Sequence, residues 1–540
     1  DPAAKLISNR SVCTKVNSPQ KFSQIKQWLA ECHTTHETCN ECLLGPDNQV
    51  FLETSDTTKE KLKKRSKRTL SYAALSYAWG TKQPHATTKA RLGAYLEGIR
   101  ISSLPRTIQD AITVTRKLSI DFLWVDSLCI IQDDPLEKAR ELGIMGTIYH
   151  NAYVVISAAS AQTCEDGFLE DRSQPPEYIQ VPFGGDGSVN LTRSRTTSGN
   201  GGPFGAAPLD DRAWAYQEFY LARRLLVFHV HEVMWSCAWT GGDGAGRLCR
   251  MDAINGLNDS CRTDQYPDMR DWGFIVASYS RRQMTYENDK LPAISSIAEL
   301  FARNHQVPYL AGLWPIAMAQ LLSWFTNRYY KKPKRPAKWR APSWSFFSVD
   351  GPIDFLSIDG TKYISERQNL GWEIRGCDIK PVSLETPFGE VADAKLHLRG
   401  RLMSVSVGTK MEADAAFTLE ATPGEPESTV AASATEWTIC FDAIEPAPAA
   451  RGASVASCYG HVSVTDRLWC FVMWGAQESV NHTRSWNPTF NYRERFWGLG
   501  LAQLPDGKYH RVGCIIAVGQ KDERIIERLQ RLPRQDFTLV

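Results

Sequence analysis

Apolar and polar positions recur with two different periods along the chain, and these periods predict its elements. Residues 22–29 have apolar side chains at helical spacing, which predicts a short amphipathic helix. Between residues 72 and 159, short apolar runs typical of buried strands alternate with two helical stretches, at 104–118 and 135–148. The order strand, helix, strand, helix, strand predicts a mostly parallel sheet joined by right-handed crossovers.

The pattern changes twice further along the chain. Residues 225–229 and 232–237 predict two more strands, whereas residues 270–330 have apolar positions at helical spacing. From about residue 365, short β-type runs alternate with polar links rich in Pro and Ala. We therefore predict an α/β fold, a mostly parallel sheet with helices on both faces, followed by a helical segment and a β-rich domain. The predicted parts are an N-terminal helical and polar segment at 1–70, the α/β domain at 71–240, a helical extension at 241–360 and the β-rich C-terminal domain at 361–540.

Composition and charge limit the classes of protein that remain. The 540 residues include 62 Lys and Arg against 60 Asp and Glu, and this balance argues against a nucleic-acid partner. Basic runs at residues 63–68 and 331–335 are typical of solvated loops, with nuclear entry as the sharper alternative. No stretch approaches the ~18 apolar residues of a membrane span, so we expect a soluble protein without a membrane partner.

The 14 cysteines are too few for a disulfide scaffold, and several lie inside apolar runs. Free buried thiols in a reducing compartment explain that pattern most simply, and they favour a cytoplasmic location.

Asp126 is the most informative single residue of the predicted sheet. It directly follows the apolar run at residues 122–125, which places it at the carboxyl end of a parallel strand, where open α/β sheets bind ligands. The alternative is that Asp126 only caps the next turn. Cys129 follows in an apolar stretch and is a weaker candidate nucleophile, because such thiols are more often inert core residues.

Gln217 and Glu218 form a second candidate pair, beside several aromatic residues. An amide and a carboxylate there suit a ribose or an amide ligand, whereas an ion pair between Glu218 and Arg223 or Arg224 is the purely structural alternative. The candidate catalytic residues are Asp126, Glu218 and Cys129, and the candidate ligand-binding residues are Trp79, Ser127, Gln132, Arg212, Trp214 and Gln217.

A group of soft ligands lies close to the N-terminus. Cys32, His36, Cys39 and Cys42 have the spacing Cys-x3-His-x2-Cys-x2-Cys, which is short enough for all four to reach one zinc ion. Structural zinc usually joins two separated ligand pairs, however, so buried thiols at a helix end are the alternative. We assign no metal ligands and predict no cofactor.

Several motifs together resemble those of the fungal heterokaryon-incompatibility (HET) domain. The resemblance covers most of residues 20–355 and is weak in the β-rich remainder. Its motifs are ALSYAWG at 74–80, LPRTIQDA at 104–111, FLWVDSLCIIQDD at 122–134, Gly167-Phe168, RAWAYQE at 212–218, YLAGLW at 309–314 and RAPSWS at 340–345.

The resemblance implies a fungal source, a TIR-like or flavodoxin-like core, and a part in nonself recognition with programmed cell death. Some TIR-like domains cleave NAD with a glutamate, so it also implies that Glu218, with Asp126 nearby, acts on a nucleotide such as NAD. The family usually has an arginine after the Gln-Glu pair, whereas this chain has Phe219, so no role is transferred to that position. The expected partners are a small-molecule or nucleotide ligand, and a protein partner or a second copy of the chain.

Two other classes of function stay open at this point. A HET scaffold rich in aromatic residues also suits a small-molecule enzyme of a fungal natural-product pathway, either a hydrolase or a cyclase. The two basic runs suggest a nuclear or nucleic-acid-associated protein, but the net charge of +2 limits any such contact to a local one.

Overall fold

The structure is a computed structural model that describes part of the 540 residues. The described residues are 14–42, 49–55, 60–65, 71–81, 83–172, 178–183, 187–192, 207–238, 269–326, 333–355, 367–369, 371–407, 414–419, 436–442, 467–478, 493–519 and 529–540. The chain divides into two compact units, Asp1–Tyr266 with Arg282–Phe301, and Pro267–Arg281 with Ala302–Val540. The finer division at residues 70, 240 and 360 stays a prediction.

The helices and strands have the following bounds. The α-helices are α1 Pro19–Thr35, α2 Lys89–Glu97, α3 Arg106–Lys117, α4 Asp126–Cys129, α5 Pro135–Asn151, α6 Ala213–Leu221, α7 Met269–Ser280, α8 Pro292–His305 and α9 Met318–Leu321. The strands of the first unit are β1 Gln49–Glu53, β2 Lys61–Arg65, β3 Tyr72–Ser76, β4 Phe122–Trp124, β5 Val154–Ser157, β6 Tyr178–Phe183, β7 Gly187–Thr192, β8 Arg224–Phe228 and β9 Val233–Cys237. The strands of the second unit are β10 Trp324–Thr326, β11 Ile353–Phe355, β12 Arg367–Asn369, β13 Glu373–Pro381, β14 Val391–Val407, β15 Asp414–Leu419, β16 Glu436–Phe441, β17 Arg467–Glu478, β18 Arg493–Gln503, β19 Tyr509–Gly519 and β20 Arg534–Leu539.

A seven-stranded sheet in the order β2-β1-β4-β3-β5-β8-β9 forms the centre of the first unit. Its four middle strands are parallel, whereas β1, β2 and β9 pair antiparallel at the two sides. In chain order the parallel strands run 2-1-3-4, the order in which a doubly wound sheet begins. The α/β class and the parallel strands are therefore confirmed.

Helices cover both faces of this sheet. Alternate strand residues, such as Leu75 and Ala74 of β3, belong to two different hydrophobic clusters. One cluster includes apolar residues of α1 and α3, and the other includes residues of α5 and α6. Each face of the sheet is thereby removed from water, which explains why its middle strands are mostly apolar.

Strands β1 and β2 were not predicted from the sequence. The basic run at residues 63–68 was interpreted as a solvated loop, but its described part, residues 63–65, lies in β2. Among the described strands it pairs only with β1, so it is an edge of the sheet there, where Lys63 forms an ion pair with Glu53. Lysines on an edge strand discourage pairing with another chain, so a charged sequence and a strand are compatible there.

The second unit is rich in β-strands, and six of its described strands close into a ring. Strand β14 pairs with β17, and the antiparallel pairing continues through β18, β19, β16 and β15 back to β14. Inside this unit Arg511 donates to both carboxylate oxygens of Asp442, at 2.9 and 3.1 Å, and both side chains are fully buried. The β-rich C-terminal part is thus present as a closed, barrel-like sheet.

The LPRTIQDA motif holds the segment that follows β5. Asp110 Oδ2 accepts the backbone N–H groups of Phe168 at 2.7 Å and Leu169 at 3.1 Å. Thr107 Oγ1 accepts the N–H of Gly167 at 3.2 Å. Gly167 has a φ of 73°, a left-handed conformation that favours glycine. A Cβ at this position would lie 2.7 Å from Asp110 Oδ2, so there is no room for a side chain either.

We expect the Asp110→Ala variant to lower the free energy of unfolding of the full chain by about 3 kcal/mol, because two buried amides lose their acceptor at about 1–3 kcal/mol each. Arg106→Ala is the matched control, since it removes only the ion pair that the 55% exposed Arg106 makes with Asp110, and we expect a change of about 0.5 kcal/mol. Denaturant unfolding measures both, and hydrogen exchange reports the amides of residues 168 and 169. Equal effects of the two variants would contradict this role.

Candidate active site

The candidate active site lies at the carboxyl edge of the parallel strands. Strand β3 has β4 on one side and β5 on the other, so the chain leaves this sheet edge in opposite directions around β3. Such a switch point is where doubly wound sheets bind their ligands. The residues that follow β3 and β4 there include Tyr77, Trp79 and Asp126.

Asp126 is held at this edge by two N–H donors. The indole Nε1 of Trp79 donates to Asp126 Oδ2 at 2.8 Å, and the backbone N–H of Ser127 donates to Oδ1 at 2.6 Å. Asp126 is also the first residue of α4, where free N–H groups favour a carboxylate. Gln132 Nε2 closes the turn by donating to the Asp126 carbonyl oxygen at 3.1 Å. Asp126 and Trp79 both keep partial contact with solvent, so a ligand has access to them.

Glu218 approaches the same edge from α6, which packs against β3 and β5. Its side chain is only 7% exposed. The hydroxyls of Ser76, the last residue of β3, and Tyr149 of α5 lie near this carboxyl group and favour its ionised form. The Tyr149 hydroxyl itself donates to the carbonyl oxygen of Leu75 at 2.9 Å. Groups from β3, α5 and α6, which are far apart in the sequence, therefore meet at this carboxyl group.

Both carboxyl groups have a raised pKa, and the charge of Asp126 contributes to the shift of Glu218. Burial raises the pKa of Glu218 to about 7, and the nearby charge of Asp126 acts in the same direction. Burial also raises the pKa of Asp126 to about 6, against the opposing effect of its Trp79 and Ser127 donors. The cation of Arg212 lowers both pKa values, which places it within electrostatic reach of the pair. Two neighbouring carboxyls that titrate near neutral pH are characteristic of acid–base and glycosidic chemistry.

Other predicted site residues already have structural partners. Trp214 Nε1 donates to Asp289 Oδ2 at 3.0 Å, and the fully buried Gln217 accepts the backbone N–H of Ser296 at 2.9 Å. Cys129 is buried, and burial raises the pKa of its thiol to about 12, so it is protonated at neutral pH. The structure therefore brings Asp126, Glu218, Trp79, Ser127 and Arg212 together, and it uses Trp214, Gln217 and Cys129 for packing.

Three hydroxyl groups of the site were missed in the sequence. Ser76 and Tyr149 contact Glu218, while Tyr77 donates to the Ser127 hydroxyl at 2.7 Å. Ser76 and Tyr77 follow the apolar run of β3 directly, the same signal that identified Asp126 on β4. No comparable signal marks Tyr149, because it lies within the apolar face of a helix.

The raised pKa of Glu218 predicts a pH-dependent stability. Between the ordinary pKa of about 4.3 and the folded value of about 7, the folded chain keeps a proton that the unfolded chain has lost, so stability falls as pH rises through this window. Glutamine resembles the neutral acid and removes this loss. We therefore expect Glu218→Gln to gain on the order of 3 kcal/mol relative to the parent chain between pH 4 and pH 8.

Denaturant unfolding of both chains across this pH range measures the effect, with the exposed Glu170→Gln as control. A difference between Glu218→Gln and the parent chain that does not vary with pH would contradict the raised pKa.

Comparison with known proteins agrees with the motifs of this edge. Residues 72–218 match the family model described as "Heterokaryon incompatibility protein (HET)". Comparisons with curated proteins and with solved structures give no significant match. The matched segment begins at the first residue of β3 and ends at Glu218, so it contains both carboxyl groups. The predicted family is thereby confirmed, and this chain carries a heterokaryon-incompatibility (HET) domain.

Proposed function

We propose that the HET domain hydrolyses the bond between ribose and nicotinamide in NAD or a related nucleotide, with Glu218 as the catalytic carboxylate. The observation that carries this proposal is the pair of neighbouring carboxyls, Glu218 and Asp126, at the switch point of the sheet. The proposed biological role is nonself recognition that leads to programmed cell death.

The chemistry needs little more than a well-placed negative charge. The nicotinamide nitrogen is positively charged, so it takes both electrons of the breaking C–N bond and leaves as a neutral molecule. The ribose carbon becomes an oxocarbenium ion, and water adds to it with loss of one proton, giving ADP-ribose. A carboxylate held in a poorly solvated site stabilises that cation more than it would in water.

The properties of Glu218 are suited to stabilising the oxocarbenium ion. With a pKa of about 7, it is partly ionised at neutral pH and can also accept the proton of the attacking water. The nearby hydroxyls of Ser76 and Tyr149 favour the ionised form of Glu218, which is the form that the proposed step uses.

Residues around Glu218 can bind the ribose, the base and the diphosphate of a nucleotide. Asp126 can accept hydrogen bonds from ribose hydroxyls, the partly exposed Trp79 ring can stack on a base, and the Arg212 cation can pair with a diphosphate. Ser127 and Gln132 keep Asp126 in place through the contacts described above. Cys129, Trp214 and Gln217 have no direct part in this mechanism.

The site of action that we propose is the cytoplasm. The cysteines within the described residues form no disulfide, as expected in a reducing compartment. Within the described residues, no helix has both the length and the apolar character to span a membrane. We propose that the β-rich second unit senses the partner or mediates self-association, since the carboxyl pair belongs to the first unit.

The chemical proposal predicts that the purified full chain releases nicotinamide from NAD and that Glu218→Gln lowers kcat by at least about 100-fold, as expected for loss of a charge used in the transition state. Chromatography of nicotinamide and ADP-ribose provides the measurement, and Glu170→Gln is the matched control with parental activity. Undiminished turnover in Glu218→Gln would remove the assignment.

The biological proposal predicts that expression of the full chain lowers the viability of fungal cells and that Glu218→Gln at an equal protein level does not. Colony counts and the cellular NAD content are measured together, since the proposal requires both to fall. Harmless high-level expression in several fungi would argue against a death-signalling role, and toxicity that persists in Glu218→Gln would separate that role from the carboxylate.

A further inference from the structure

Four soft ligands meet in the interior of the first unit, away from the carboxyl pair. Cys32 lies in the last turn of α1, His36 follows that helix, and Cys39 lies in the short 3-10 helix Glu37–Asn40. The fourth is Cys237, the last residue of β9. Their ligand atoms all lie within 4.8 Å of one another. None of the four side chains is more than 5% exposed.

We propose that Cys32, His36, Cys39 and Cys237 bind one structural Zn²⁺ ion. Three thiolates and one imidazole are a common donor set of structural zinc, and thiolates select zinc over hard cations such as Mg²⁺ and Ca²⁺. Four protein ligands leave no position open for water, so the ion stabilises the fold and takes no part in hydrolysis.

The distances fit a tetrahedral ion. With Zn–N and Zn–S bonds of about 2.0 and 2.3 Å, a tetrahedron places nitrogen and sulfur about 3.5 Å apart and two sulfurs about 3.8 Å apart. His36 Nδ1 lies 3.5 Å from Cys237 Sγ. The ligand atoms all lie within 4.8 Å of one another, so no separation exceeds the sulfur–sulfur edge of the tetrahedron by more than about 1 Å.

The surroundings suit a site with one net negative charge. Three thiolates and Zn²⁺ sum to −1, and the buried Arg224 donates its Nε–H to Cys32 Sγ at 3.2 Å. Arg224 lies directly opposite Cys237 in the β8–β9 ladder, and its guanidinium also contacts the side-chain oxygen of Asn40. Outer contacts of this kind orient metal ligands and neutralise their charge.

The site corrects the ligand set suggested by the sequence. Cys32, His36 and Cys39 are close together, as the spacing Cys-x3-His-x2-Cys suggested, but Cys42 is exposed and lies outside the cluster. Cys237 takes its place from an edge strand almost two hundred residues later in the chain. The ligands therefore come from two separated segments, the usual arrangement of structural zinc, and the ion ties the end of α1 to the edge of the sheet.

Metal analysis of the full chain, purified under reducing conditions, tests the proposal. We expect close to one zinc per chain in the parent protein, a loss of at least about tenfold in Cys237→Ser and an unchanged content in Cys42→Ser, since a structural site needs all four ligands. Cys42 is the matched control because it is near in sequence but outside the cluster.

Cobalt substitution of the parent chain needs no variant and covers the case in which Cys237→Ser does not fold. Co²⁺ is expected to give the visible bands of a tetrahedral ion with thiolate charge transfer, and one equivalent of Zn²⁺ is expected to abolish them. The proposal is overturned if the reduced parent chain contains no zinc and binds no Co²⁺. A disulfide between two of these cysteines that persists in protein purified under reducing conditions overturns it as well. Equal zinc contents in Cys237→Ser and the parent chain would also overturn it.

Discussion

The placement of β3 between β4 and β5 is the constraint on which the site depends. Hydrogen bonding in these two parallel ladders brings the end of β3 beside the end of β4, so that Trp79 reaches Asp126. It also creates the surface on which α6 packs, and α6 carries Glu218 to Ser76. The burial that stabilises the sheet thus also raises the pKa of both carboxyls. Burial therefore both stabilises the fold and raises the pKa values on which the proposed chemistry depends. The same burial lowers the free energy of unfolding as the pH rises and Glu218 ionises.

Much of this arrangement was predictable, because the signals were local. The apolar runs at 122–125 and 225–229 correspond to β4 and β8 within one or two residues, and their ends correctly placed Asp126 at a sheet edge. Residues 135–148 correspond to α5, whose N-cap Asp134 accepts the N–H groups of Leu136 and Glu137 at 3.2 Å. Apolar periodicity and capping act over a few residues, so a single sequence contains them.

The rest depended on contacts between distant segments. Glu218 and Gln217 are neighbours in the sequence, yet on α6 one points to the sheet edge and the other to Ser296 of α8. The charged strand β2 is stabilised by its pairing with β1, which no local pattern indicates. Cys237 lies in the cluster near the N-terminus because β9 pairs with β8, a contact between strands that the spacing of the N-terminal ligands does not reveal. Residues 14–42 and β9 lie outside the segment 72–218, so the folded unit that supports the HET motifs is larger than the family match.

The most direct measurement of the central claim is the protonation state of Glu218 itself. Infrared difference spectra of the parent chain and Glu218→Gln, recorded across the neutral pH range, isolate the carbonyl band of this one carboxylic acid. The account predicts a band present in acid that disappears with a midpoint near pH 7. A midpoint at the ordinary value of about 4.3 would contradict it, because Glu218 would then behave as a solvated carboxylate and not as a buried one.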